Sequence, residues 1–246
     1  MTLEFFLLLT AGSLAGGFIN GLAGFGTSLF ALGWWLQIMP PLEAVAMALF
    51  MSVSSGIQGI IVVWKHINYK KLAWFLLPAL LGVPIGIELL AIINPSILKI
   101  GIAVFLILYG VFFTLKKGLP NFTRPTNIID GIIGFFAGIL GAVAGLSGSL
   151  PTMWIALRPW PKHEQRGILQ PFNIIILSLS AAILAFQGVY SKPVLFNLAI
   201  AIPLSIIAAQ VGIIIFKRLK DHQFKRLLIF LLLIAGISLM TRELLL

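Results

Sequence analysis

Two glycine-broken stretches hold the residues of this chain best suited to chemistry. Stretch 20–28 reads Asn20-Gly-Leu-Ala-Gly24-Phe-Gly26-Thr27-Ser28, and stretch 141–149 reads Gly141-Ala-Val-Ala-Gly145-Leu-Ser147-Gly148-Ser149. Glycine permits the backbone dihedrals needed to stop one helix and start another. Thr27 and Ser28 are cap-type residues, as are Ser147 and Ser149, and Pro151 suits a first helical turn. A helix restarting at such a point presents unbonded N–H groups and the positive end of its dipole. That combination binds an anion without any basic side chain. Gly24, Gly26, Thr27, Ser28, Gly145, Ser147, Gly148 and Ser149 are therefore candidate substrate-binding residues. Asn20, Ser52, Gln170 and Asn173 join them as polar residues in apolar surroundings. Gln170 and Asn173 are three apart, hence on one helical face, and flank Pro171, which frees a carbonyl. The competing reading of the glycines is close helix packing, and that of the amides is an interhelical hydrogen bond.

A different chemistry is also written here. Gly145-Leu-Ser147-Gly148 matches the G-x-S-G pattern of intramembrane serine hydrolases. Ser147 would then need a general base nearby. His66, His163 and His222 all fall in basic loops, and the residue aligned with Ser147 in the first stretch is Gly26. A duplicated helix break explains the motif more simply, so no enzymatic activity is expected. Glu88 and Asp130 lie near predicted segment ends, where an interfacial role is the expectation. Glu43 and Glu164 sit just past Pro-containing turns, where a helix dipole accounts for them. The six tryptophans fall mostly near segment ends, as interfacial belts do. Metal ligands and cofactors are not expected.

The elements that must position these residues follow from composition. Of 246 residues, 60% are hydrophobic and 10% charged, with a mean hydropathy of +1.09. A soluble domain carries about 25% charged residues. A soluble enzyme is thus excluded, and so is disorder, which requires low hydrophobicity. The net charge of +10 would suggest nucleic acid in a soluble protein, but in a membrane protein it reports loops on one side. The absence of cysteine excludes disulfides, thiolate metal sites and cysteine nucleophiles.

Apolar stretches run over 3–38, 42–64, 72–92, 97–115, 127–157, 167–187, 193–216 and 227–241. Six have the length of one span of roughly 20 residues. The two that contain the glycine breaks are longer. If each of these is two passes, 14 of the 17 basic residues fall on one side, in 65–71, 116–126, 158–166 and 217–226. If each is one pass, the bias disappears. The excess of Lys and Arg in inner loops selects the first count. A two-pass hairpin and a re-entrant hairpin satisfy it equally. The prediction is an all-α polytopic membrane protein of about ten helical segments, with both termini outside.

The two halves also repeat. At an offset of 121, Gly17, Gly24, Ser28, Pro40 and Glu43 meet Gly138, Gly145, Ser149, Pro161 and Glu164. At an offset of 126, Gly86, Lys99 and Gly110 meet Gly212, Lys225 and Gly236. Residues 1–115 form the first repeat, 116–126 a cytoplasmic linker, and 127–246 the second. Five passes per half invert one repeat against the other. Broken helices near the midplane of inverted repeats are a recurring secondary-transporter design.

The break at 17–28, its copy at 138–150, the Lys65-His-Ile-Asn-Tyr69 loop and the Pro78…Gly82…Gly86 helix resemble the TauE/SafE sulfite exporter family over nearly the whole chain. Many members carry a richer glycine run at the breaks and an Ala-x-x-Thr-Ser motif in the following helix. Here those positions read Ala44-Val-Ala-Met-Ala48 and Gln165-Arg-Gly-Ile-Leu169. The resemblance implies transport of sulfite, sulfoacetate or another organosulfonate across a bacterial or archaeal inner membrane. It also implies an ion gradient as energy source. Expected partners are a small anion, the bilayer, a coupling proton or sodium ion and a second copy of the chain, with no nucleic acid. An anion channel is the remaining alternative.

Overall fold

The computed structural model describes residues 2–92, 94–115, 122–123 and 126–245. Ten α-helices account for nearly all of them, and no strand occurs among the described residues. The helices are α1 (Leu3–Ala23), α2 (Thr27–Trp35), α3 (Pro41–Val63), α4 (Tyr69–Ile92), α5 (Pro95–Leu115), α6 (Asn127–Ala144), α7 (Ser149–Ala156), α8 (Lys162–Phe186), α9 (Lys192–Arg218) and α10 (Asp221–Leu245). Among the described residues, α1, α3, α4, α6, α8 and α9 are each long and apolar enough to cross a membrane. Their lipid-facing sides carry exposed Leu, Ile and Phe, such as Leu81, Ile61 and Ile207. The chain is an all-α polytopic membrane protein.

Both glycine stretches are helix breaks that turn the chain back. Helix α1 ends at Gly24, which takes the left-handed φ of 85° and donates its N–H to Asn20 O at 2.8 Å. Gly26, at φ 94°, then starts α2. Nine residues rise only about 13 Å, under half a hydrocarbon core of about 30 Å. The return is visible in the contacts. Trp35, at the end of α2, donates its indole N–H to Leu9 O at 3.2 Å. In the second half α6 ends at Gly145, with φ 67°, and the eight-residue α7 follows. Trp154 of α7 donates to Asp130 near the start of α6 at 2.6 Å. Each break is therefore the tip of a re-entrant hairpin.

Small residues let the remaining helices meet. A Cβ on Gly17 or Gly21 of α1 would strike the backbone of Ser205 or Ala209 on α9. A Cβ on Gly134 or Gly138 of α6 would strike the backbone of Phe75 or Ala79 on α4. Gly17 on Ser205 corresponds to Gly138 on Ala79 under the sequence offsets, so α1 lies on α9 as α6 lies on α4. Helix α3 packs on α8, and α5 on α10. Each half thus inserts its hairpin against helices of the other, and the largest buried apolar cluster joins α3, α4, α6 and α8.

Two helix starts differ most from those of the apolar stretches. Helix α8 begins at Lys162 rather than 167, and α10 at Asp221 rather than 227. Apolar segments stop at charges, whereas helices stop at caps: Pro161 precedes α8, and the basic residues after it are part of the helix. As a result Arg158, Lys162 and Arg166 are not solvated loop residues but buried. Lys162 donates to Phe216 O at the end of α9 at 2.9 Å, and Arg158 pairs with Asp130 at 3.2 Å. His163 likewise belongs to α8 and stacks on His66, with ring centroids 5.0 Å apart. Trp35 is fully buried, unlike a belt tryptophan.

Candidate functional site

The two hairpin tips meet inside the protein. The Cα of Gly145 faces the hydroxyl of Ser28, so that a Cβ there would overlap Ser28 Oγ. Gly148 faces Phe25 in the same way. These contacts need glycine on one side, and Gly145 needs it twice because its φ is positive. The tips are walled by α3 and α8. Asn20 donates from Nδ2 to Ser52 O and to Ser55 Oγ on α3, each at 2.8 Å. Gln170 on α8 donates to Gly56 O on α3 at 2.9 Å. Ser147 donates its hydroxyl to Asn173 Oδ1 on α8.

The two tips differ in how far their polar groups are spent. At the second, the Ser147 hydroxyl goes to Asn173, and the Ser149 hydroxyl goes to Leu146 O at 2.7 Å. The Ser149 amide also bonds Leu146 O. The Thr152 hydroxyl, one turn into α7, is buried there without a partner among the described residues. At the first tip, Thr27 Oγ1, Ser28 Oγ, Ser52 Oγ and Asn20 Oδ1 are all buried, and none has a partner among the described residues. The first described acceptor for an α2 amide is Gly26 O, taken by Phe30 N. The amides of Thr27, Ser28 and Leu29 are the unbonded donors of a helix start. Buried polar groups are ordinarily paired. A cluster of unspent hydroxyl and amide donors at a helix N-terminus has the chemistry of an anion site.

Arg166 is the residue that the apolar segmentation misses. It is fully buried, four residues into α8. Its Nε donates to Gln170 Oε1 at 3.1 Å and its Nη1 to Leu22 O at 3.4 Å. Nη2 has no acceptor among the described residues, and no carboxylate there pairs with it. A Cβ on Gly24 would come within 3.3 Å of its side chain. The signal was present in the repeat: Arg166 aligns with Val45, which lies inside α3 rather than in a loop.

Among the described residues, the partner of the Ser147 hydroxyl is Asn173. That bond goes to an amide oxygen, which cannot take a proton as a base. Glu164 pairs with Lys71 at 2.5 Å near the surface. A cavity of 590 Å³ lies beside that pair, lined by Lys65, His66, Asn68, Lys70 and Pro161.

A family model described as sulfite exporter TauE/SafE matches residues 8–239. The probable sulfite/organosulfonate exporter TauE of Cupriavidus necator is 23% identical over 203 residues, covering 80% of this chain and 79% of that protein. No solved structure gives a significant match. The match runs through both hairpins and all the helices that wall them, and the chain belongs to the TauE/SafE sulfite exporter family of membrane transporters.

Proposed function

We propose that this chain is a secondary transporter that carries a small sulfur-containing anion by alternating access, with the anion held where the hairpin tips meet. The observation that carries the reading is the set of buried, unspent donors at the first tip: Thr27, Ser28, Ser52 and the opening amides of α2. The second tip, with Gly145, Ser147, Gly148 and Ser149, shapes the opposite wall. Sulfite or an organosulfonate is the substrate class, in keeping with the name of the Cupriavidus relative. A sulfonate offers three acceptor oxygens to those donors and needs no metal or cofactor.

The reciprocal packing of α1 on α9 and α6 on α4 supports two five-helix repeats, 1–115 and 127–246, joined by a cytoplasmic linker at 116–126. Rocking of such repeats about a central site is how inverted-repeat carriers alternate access. The charge bias supports both termini outside, and membership of the family supports a bacterial or archaeal inner membrane. A proton or sodium gradient is the proposed energy source.

The test is uptake of sulfite and of sulfoacetate into proteoliposomes holding the purified chain. Saturable uptake in the wild type is expected. Ser28→Ala, which removes the unspent hydroxyl without adding bulk against Gly145, should reduce it strongly while the protein still purifies as a folded species. Undiminished uptake by that variant would overturn the site, and ohmic conductance in place of saturation would replace the carrier by a channel.

A further inference from the structure

We infer that Arg166 is the charge-selecting residue of the anion site: the end-on edge of its guanidinium binds the substrate's sulfonate or sulfite group. The inference rests on the proposed transport reading and names the group that enforces anion selectivity. Arg166 has 0% exposure, and among the described residues it has no carboxylate partner. Burying an ion without a counter-charge is strongly unfavourable even after relaxation. The other ionisable groups nearby offer no relief. Lys162 and His163 share α8, while Asp221, at the start of α10, accepts from the Lys162 amide rather than from Arg166. Glu164 is taken by Lys71, and Asp130 by Arg158.

The guanidinium is also held so that one edge stays unspent. Gln170 takes Nε, and Leu22 O takes one N–H of Nη1. Phe216 lies under the plane, with its ring centre 4.4 Å from Cζ. Nη2 keeps both its donors. Arg offers parallel N–H bonds to two oxygens of one anion, which a lysine cannot reproduce. Glycines make room for the Arg166 and Gln170 side chains. A Cβ on Gly59 of α3 would lie 2.9 Å from Nη2, and one on Gly24 would lie 2.8 Å from Gln170 Oε1. Arg166 meets Leu22 O at the negative end of α1, so it offsets that dipole and leaves the positive end of α2 to dominate the tip.

A purely structural role as a cap for α1 makes the opposite prediction, and one experiment separates them. Sulfite and sulfoacetate uptake, together with melting temperature in detergent with and without sulfite, are measured for wild type, Arg166→Gln and Arg166→Lys. Binding predicts that R166Q melts within a few degrees of wild type without sulfite, loses the sulfite-dependent shift, and raises KM at least tenfold. R166K, keeping charge without the fork, should raise KM several-fold. Wild-type KM in R166Q, with a lowered melting temperature, overturns the assignment and leaves the carrier reading intact. Wild type with neither uptake nor a sulfite-dependent shift overturns both. If R166Q does not fold, R166K decides: an unchanged KM overturns the assignment and a raised one upholds it.

Discussion

Gly145 of the second hairpin lies directly against the hydroxyl of Ser28 in the first. The left-handed φ of 67° at Gly145 and this contact make two separate demands on one position. Gly145→Ala should cost about 1–2 kcal/mol from the backbone conformation alone, with a further penalty from Ser28. The double variant Ser28→Ala/Gly145→Ala should regain part of the loss, since it relieves the contact but not the dihedral. Melting temperatures of the three variants in detergent check this, and an additive double mutant would contradict the contact.

Close packing of the hairpins predicts a paired effect. Gly17→Ala and Gly138→Ala each drive a methyl into backbone, which cannot swing aside as a flexible side chain would. Each should destabilise by about 1–3 kcal/mol. Gly101 on α5 has nothing within 4 Å of an added Cβ. Gly101→Ala should therefore be neutral or stabilise by up to about 1 kcal/mol through lower chain entropy. Yields of monodisperse protein and melting temperatures would show the contrast.

The Asp130–Arg158 pair closes the base of the second hairpin. Both residues are buried, and Asp130 also accepts from Trp154 and from Thr126. Removing one member of such a pair costs about 3–5 kcal/mol. Asp130→Ala is expected to lower stability by that amount. Limited proteolysis should then cut within 145–161, where wild type resists.

Tyr190 gives a pH dependence with a definite sign. It lies in the turn between α8 and α9 and donates its hydroxyl to Ala46 O at 3.0 Å. Burial pushes its phenol up from 10.0 to about 12. The folded state thus favours the protonated form more than the unfolded chain does. The associated stability is complete below pH 10 and is lost as pH rises toward 12. Melting temperature followed between pH 9 and 12 should fall for this reason. In Tyr190→Phe that part of the fall should be absent.

The sequence by itself determined the class, the helix breaks and the family. Too few charges exist to coat a soluble surface, and 14 of 17 basic residues fall to one side only if each long stretch turns back. Gly24, Gly26 and Gly145 announced the breaks because few other residues take their dihedrals. The tertiary structure alone decided that the returning arms are re-entrant, since Trp35 reaching Leu9 and Trp154 reaching Asp130 are contacts across a fold. It also decided which polar groups remain free. Ser28 and Ser149 occupy equivalent positions in the repeat, yet among the described residues only the second finds a carbonyl in reach. Arg166 and Lys162 look alike in a basic segment. One caps a helix end and the other lies beside a helix break with an edge unspent. Spacing along the chain specifies which residues share a face. Whether a buried donor finds an acceptor depends on which other helix arrives there, and that is set by packing between segments far apart in sequence.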